Sequence, residues 1–288
     1  MRGNLRRVRS HILLLSTLLA VGSAISGCSS VTRREVQTTA PKHAATLIAE
    51  RGETSWDLVA LGDSTPAGYG IGSDHSYVQV YAGYIEEDLG VTVNVHNYAT
   101  GSTRRVADWV EEVRSNEKLR NDLRNAEVIT IWLGWHDVIP SIGVGRGGPC
   151  YPRADEVDLD CLREVTDPMQ EGFDLLLSEI VALASPAETL ILIAEVGIPP
   201  LVVVRWKEDG TLALLKRHAY EVWRDYIIQA ASNHSVHVVH TYEVLNGPNG
   251  DRETPPEYIQ SDRIHFNEQG HRLVARIHRS IGYLYSSP

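Results

Sequence analysis

Residues 56–70 read Trp-Asp-Leu-Val-Ala-Leu-Gly-Asp-Ser-Thr-Pro-Ala-Gly-Tyr-Gly, an apolar run that stops at a glycine and becomes a polar, glycine-rich turn. Leu58 to Leu61 is continuously apolar rather than alternating, the pattern of a strand covered on both faces. Similar runs follow at Val91 to Val95, Val128 to Leu133, Leu190 to Ala194 and Val236 to His240. Segments with helical spacing lie between or after them, at Tyr77 to Leu89, Ala107 to Leu123, Glu171 to Ala184, Leu212 to Ala231 and Glu268 to Leu284. Strand and helix in alternation predict an α/β protein, a three-layer α/β/α sandwich around a central five-stranded parallel sheet. Ligands of such sheets sit beyond the carboxyl ends of the strands, so the polar residues after each run are the candidates for chemistry.

Composition narrows the function. With 288 residues, 43% hydrophobic and 22% charged, the chain is too apolar to be disordered and is long enough for one ordinary globular domain. Its formal charge of −10 argues against sequence-independent nucleic-acid binding, which needs net positive surface to displace counterions. Neither a phosphate-binding P-loop nor a CxxC pair occurs, so nucleotide hydrolysis and a zinc-ribbon scaffold have no support.

The first residues have the anatomy of an export signal. Arg2, Arg6, Arg7 and Arg9 form a basic region, His11 to Ala20 a short apolar one, and small residues then lead to Cys28. Ile25-Ser26-Gly27-Cys28 resembles the bacterial lipobox, which implies cleavage before Cys28 and a diacylglyceryl thioether on its sulfur. A simple secretory peptide with an incidental cysteine is the competing reading. The expected organisation is a leader over 1–27, a polar tether over 28–54 with a reach of roughly 25 to 30 Å, and a catalytic body over 55–288. Of the three cysteines, Cys150 and Cys161 remain once Cys28 is set aside, and in an exported chain they can form a disulfide. Two free thiols are the alternative.

The first run opens onto Gly62-Asp63-Ser64, where a serine at a strand end can expose its hydroxyl at the rim of the sheet. It is not the GxSxG elbow, because Pro66 stands where the second glycine would be. Near the other end lies Asp262-Arg263-Ile264-His265. An aspartate three residues before a histidine can take the ring's Nδ1–H, fixing the tautomer so that Nε2 faces a nucleophile. Each signal alone is modest, but together they supply nucleophile, base and orienting carboxylate at strand ends.

These segments, with two others, are similar to the four blocks of the SGNH, or GDSL-type, hydrolase family in their order. They are Gly62-Asp63-Ser64 with Thr65 in the place of leucine, Asn97 to Ser102, Gly134-Trp135-His136-Asp137, and Asp262-x-x-His265. The likeness runs from about Trp56 to Tyr285. It implies the family's flavodoxin-like fold and ester hydrolysis through a covalent serine intermediate, without cofactor or metal. Ser64 would attack, His265 relay the proton and Asp262 hold the imidazole. The oxyanion would be met by the amides of Ser64 and Gly101 and by residue 136, where His136 replaces the family's asparagine. A neutral imidazole can donate one N–H from that place; otherwise the donor is lost, which costs about 2.7 to 4 kcal/mol.

Other residues carry blander expectations. His234, His237 and His240 recur every third residue, but the intervening valines read as a strand, so no metal site is expected. Asp63 and Asp137 are expected to brace their loops, Trp132 to pack in the core, and Glu195 to sit in a pocket wall or in solvent. The stretch Ile139 to Asp167, rich in glycine and acid and holding Cys150 and Cys161, is expected to form either a stapled wall over the cleft or a surface excursion.

The reading as a whole is an exported, membrane-anchored serine esterase held through lipidated Cys28. Its substrate would be a lipid, acylated glycan or small ester, and nucleic acid is not a partner. The competing function is a weakly active or non-catalytic ligand-binding lipoprotein on the same fold, with His136 marking lost chemistry.

Overall fold

The computed structural model describes residues 54–144 and 147–283; the leader, Cys28 and nearly all of the tether lie outside them. Five strands, β1 (Ser55–Gly62), β2 (Thr92–Asn97), β3 (Val128–Trp132), β4 (Leu190–Ala194) and β5 (His237–Val239), form one parallel sheet in the order β2-β1-β3-β4-β5. Register follows the apolar runs, with Leu58 opposite both Val95 and Val128, and Ile129 opposite Ile191. Every residue of β3 and β4 is buried, as their nearly continuous apolarity leads one to expect, whereas edge strand β2 alternates exposed and half-buried positions over its first four residues.

The helices are α1 (Tyr77–Leu89), α2 (Val106–Ser115), α3 (Glu117–Asn125), α4 (Trp135–Ile142), α5 (Leu159–Val181), α6 (Pro200–Glu208), α7 (Glu221–Asn233), α8 (Thr241–Asn246) and α9 (Glu268–Ile281). A helical turn at Leu212–Leu215 and a π-helical turn at Lys216–Tyr220 lead into α7. The pair α1 and α9 packs together, and α5 packs against both α2 and α7. Across the first pair a buried chain of hydrogen bonds crosses the sheet's middle. Tyr77 Oη lies 3.2 Å from Thr130 Oγ1, which lies 3.2 Å from His278 Nε2, while His278 Nδ1 donates to Val274 O at 2.9 Å. Burial keeps His278 well below its ordinary pKa, at about 4, so the ring is neutral and its Nε2 accepts from Thr130.

Two segments differ from the sequence expectation. The helix expected over 107–123 is divided at Asn116, whose side chain accepts from Leu119 N at 3.0 Å and so starts α3 afresh. The long acidic loop is shorter than expected because α4 continues to Ile142 and α5 begins at Leu159. Asp158 caps α5 by accepting from the amides of Asp160 and Cys161 at 3.0 Å. The remainder is stapled by a Cys150–Cys161 disulfide with Cα atoms 5.4 Å apart, in which Cys150 is wholly buried.

Candidate active site

The sheet order places β1 between β2 and β3, with β2 reached on one side and β3 on the other, so the chain reverses direction across the sheet between β1 and β3. A crevice opens at such a switch point beyond the strand ends. Ser64 lies there, two residues past β1. Only glycine fits at 62, because a Cβ would stand 2.6 Å from Trp132 O and would strike the Pro66 ring. The turn then closes on itself, with Ala67 N donating to Asp63 O at 3.3 Å and Tyr69 N to Ser64 O at 3.0 Å.

The second block is stitched to this turn. Asn97 Nδ2 donates to Pro66 O at 2.8 Å and Thr100 N to Gly62 O at 3.2 Å, which brings Gly101 beside it. A Cβ at Gly101 would lie 3.5 Å from the Tyr69 ring. Asn97, quoted in the sequence only as part of a block, is thus the residue that holds that block in place.

The base loop is built by Asp262. Its Oδ1 accepts from Ile264 N at 2.9 Å and His265 N at 3.0 Å, and its Oδ2 lies 2.6 Å from His265 Nδ1. Burial alone would raise this carboxyl, but the bonds from the His265 ring and the two amides outweigh it and hold Asp262 below its ordinary value. With Nδ1–H given to a carboxylate, Nε2 is left as the ring's basic lone pair. Arg263, between them, adopts φ 61°, the left-handed turn that folds the carboxylate back onto the ring. Tyr69, itself 53% exposed, covers the imidazole with ring centroids 4.4 Å apart.

Ser64 and His265 line one cleft of about 480 Å³, counting its open mouth. Its walls are Trp132, Trp135, Val196 to Pro199, Leu245, Thr254, Ile259, Ile264 and Phe266, with Asp63 and Thr65 at the serine end. No direct hydrogen bond joins the side chains of Ser64 and His265; such bonds are often long in unliganded sites. Neither Gly101 nor His136 belongs to the lining. His136 sits in the first turn of α4, half-buried, with Nε2 buried and unpartnered, and desolvation lowers its pKa so that the ring is neutral.

Several expectations need correction. Among the described residues of 139–167 none lines the cleft; its far wall comes instead from the segment after β4 and from Leu245, which apolar composition alone did not single out. Trp132 does pack in the core, buried and meeting Phe266 edge to face at 6.2 Å, and together with Trp135 it also lines the cleft. Glu195 is neither wall nor solvated: it is fully buried, accepting from Arg224 Nε at 2.8 Å and lying 3.1 Å from His240 Nδ1. His234 pairs instead with Asp174 at 3.0 Å. Asp137 does brace a loop, its Oδ2 accepting from Val106 N at 3.1 Å at the start of α2; burial raises it to about 6.

The model of the GDSL-like lipase/acylhydrolase family matches residues 60–273 of this chain. A search of curated protein sequences finds no significant match. Among solved structures, the lipase Lip_vut3 from a goat rumen metagenome aligns with a TM-score of 0.63 at 20% identity, covering 81% of this chain and 100% of that one. A mutant of Axe2, an acetyl-xylooligosaccharide esterase from Geobacillus stearmophilus, gives 0.55 at 17% identity over 82% and 99% of the two chains. The lipase/acylhydrolase from Enterococcus faecalis gives 0.52 at 15% over 81% and 99%. At these identities the structures share the fold, while the family match takes in the nucleophile turn, both intervening blocks and the base loop. The chain therefore belongs to the GDSL-like lipase/acylhydrolase family and is a serine ester hydrolase.

Proposed function

We propose that this protein is an exported, lipid-anchored esterase that cleaves carboxylic esters through Ser64, His265 and Asp262 and an acyl-enzyme. The observation that carries the reading is the Asp262–His265 pair at 2.6 Å, sharing with Ser64 one largely apolar cleft at the switch point. Substrate binding would close the gap between Ser64 Oγ and His265 Nε2. Oγ then attacks the ester carbonyl carbon as its proton passes to Nε2, and the carboxylate of Asp262 stabilises the imidazolium. The tetrahedral oxygen takes hydrogen bonds from the amides of Ser64 and Gly101. Collapse expels the alcohol, which leaves with the proton from His265, and water repeats the sequence on the acyl-enzyme to release the acid.

His136 is the third donor in this reading. An orphaned buried nitrogen costs about 1 to 3 kcal/mol, and a partner that arrives only with the transition state accounts for it. The ring has to swing toward the cleft to make that contact. Its absence from the present lining supports the second reading, a weakly active or non-catalytic binder of an acylated ligand. The Cys150–Cys161 disulfide is in keeping with an oxidising compartment, and so with export and anchoring through Cys28.

Hydrolysis of p-nitrophenyl esters from acetate to palmitate tests the proposal. Wild type is expected to turn over part of the series and Ser64→Ala to fall to the uncatalysed rate. Equal residual rates in both proteins would leave the binder.

A further inference from the structure

The nucleophile turn and the base loop come from opposite ends of the described chain, and one side chain, Gln260, hydrogen-bonds them to each other. Gln260 Nε2 donates to Tyr69 O at 2.7 Å and to Phe266 O at 2.8 Å. Both partners are carbonyls, which only accept, so the NH₂ end of the carboxamide is the end that faces them. One NH₂ group thus spends both protons across segments 191 residues apart. Among the described residues this is the one hydrogen bond between the turn 63–70 and the loop 259–267.

The surroundings are arranged for it. Gln260 N donates to His265 O at 2.8 Å, and Ile259 pairs with Phe266 in an antiparallel bridge, so the residue sits at the neck of the base loop. On the other side Tyr69 N bonds to Ser64 O at 3.0 Å, so the clamp is one short link from the serine. Gly70 has φ 80°, the left-handed region that favours glycine, and a Cβ there would press on the Gln260 carboxamide. The clamped residue is also the one whose ring covers His265, with centroids 4.4 Å apart.

We propose that Gln260 is a positioning residue: by tying Tyr69 O to Phe266 O it sets the distance between Ser64 and His265 and keeps the Tyr69 ring on the imidazole. This rests on the triad reading above. Because Ser64 and His265 stand on separate loops with no direct bond between them, loop spacing decides whether proton transfer is in reach, and a misplacement of about 1 Å can cost a hundredfold. An aromatic face beside the ring also favours the imidazolium formed during attack.

The test compares wild type, Gln260→Leu and Gln260→Glu on p-nitrophenyl esters, with thermal unfolding recorded for each. Gln260→Leu keeps the bulk and removes both donors; kcat is expected to fall roughly 10- to 100-fold with KM within about twofold, in protein that remains folded at the assay temperature. Gln260→Glu turns an acceptor toward two carbonyls, so its deficit relative to wild type is expected to narrow as pH falls and the carboxyl regains a proton. A contact needed only for folding would show that pH dependence in thermal unfolding and not in the kcat of the folded protein. An active wild type with Gln260→Leu matching its kcat, or losing activity only in proportion to the unfolded fraction, would overturn the clamp alone. A wild type that hydrolyses no ester would instead remove the triad reading, and the clamp with it.

Discussion

Asp63 shares a turn with Ser64 but is almost wholly buried, with Oδ1 accepting from Thr65 N at 3.3 Å and Oδ2 unpartnered. Burial, reinforced by the negative charge of Asp137, raises its pKa to about 7. Because the folded value lies above the unfolded one of 3.8, the folded protein holds this proton more tightly. The associated stability is therefore complete below pH 3.8 and is lost as pH rises through about 7, at up to ~1.4 kcal/mol per pH unit. Asp63→Asn, neutral at every pH, is expected to lose less stability than wild type between pH 5 and pH 8. Urea unfolding at the two pH values measures this, and parallel losses would contradict it. The sequence reading had Asp63 bracing its loop, which the Thr65 bond supports; the orphaned oxygen was invisible because it depends on what the fold lays over it.

At the scale of elements, the strands were legible and the connections less so. A strand covered on both faces is nearly all apolar, and Val128 to Trp132, broken only by the hydrogen-bonded Thr130, and Leu190 to Ala194 declare that directly. The break at Asn116 was hidden because helical spacing continues across it, and only the side chain's bond to Leu119 N restarts the helix. The stretch 139–167 reads as a wall over the cleft because it follows the third block. Its residues 147–158 instead bond away from the cleft, with Cys150 N donating to Ser141 O at 2.8 Å and Tyr151 Oη to Asp209 at 2.7 Å. Replacing Cys150 and Cys161 by serine is therefore expected to lower stability by about 3 kcal/mol while leaving kcat/KM of the folded enzyme within about twofold. A changed preference along the ester series would restore the wall.

At the scale of the whole molecule, three blocks separated in sequence meet because β1 and β3 are neighbours and the base loop precedes α9, which packs on α1. Ser64, Asp262 and His265 can be proposed from the sequence because such chemistry is carried by short local patterns. The wall from Val196 to Pro199, and Gln260 at the neck of the base loop, cannot, since their meaning comes from residues they meet far along the chain. The proposed lipid anchor at Cys28 is tested separately from the chemistry. Cys28→Ala is expected to move the protein from the membrane fraction to the soluble one in cells that process lipoproteins; unchanged membrane association would remove the lipid anchor and leave the esterase standing.

The central claim is that Ser64 is a nucleophile activated by His265. Mapping the adduct left by a fluorophosphonate measures it directly. The expected result is one phosphonylated residue per chain, at Ser64, absent in Ser64→Ala and formed at least a hundred times more slowly in His265→Ala. An adduct on another residue, none at all in folded wild type, or labelling indifferent to His265 would contradict it.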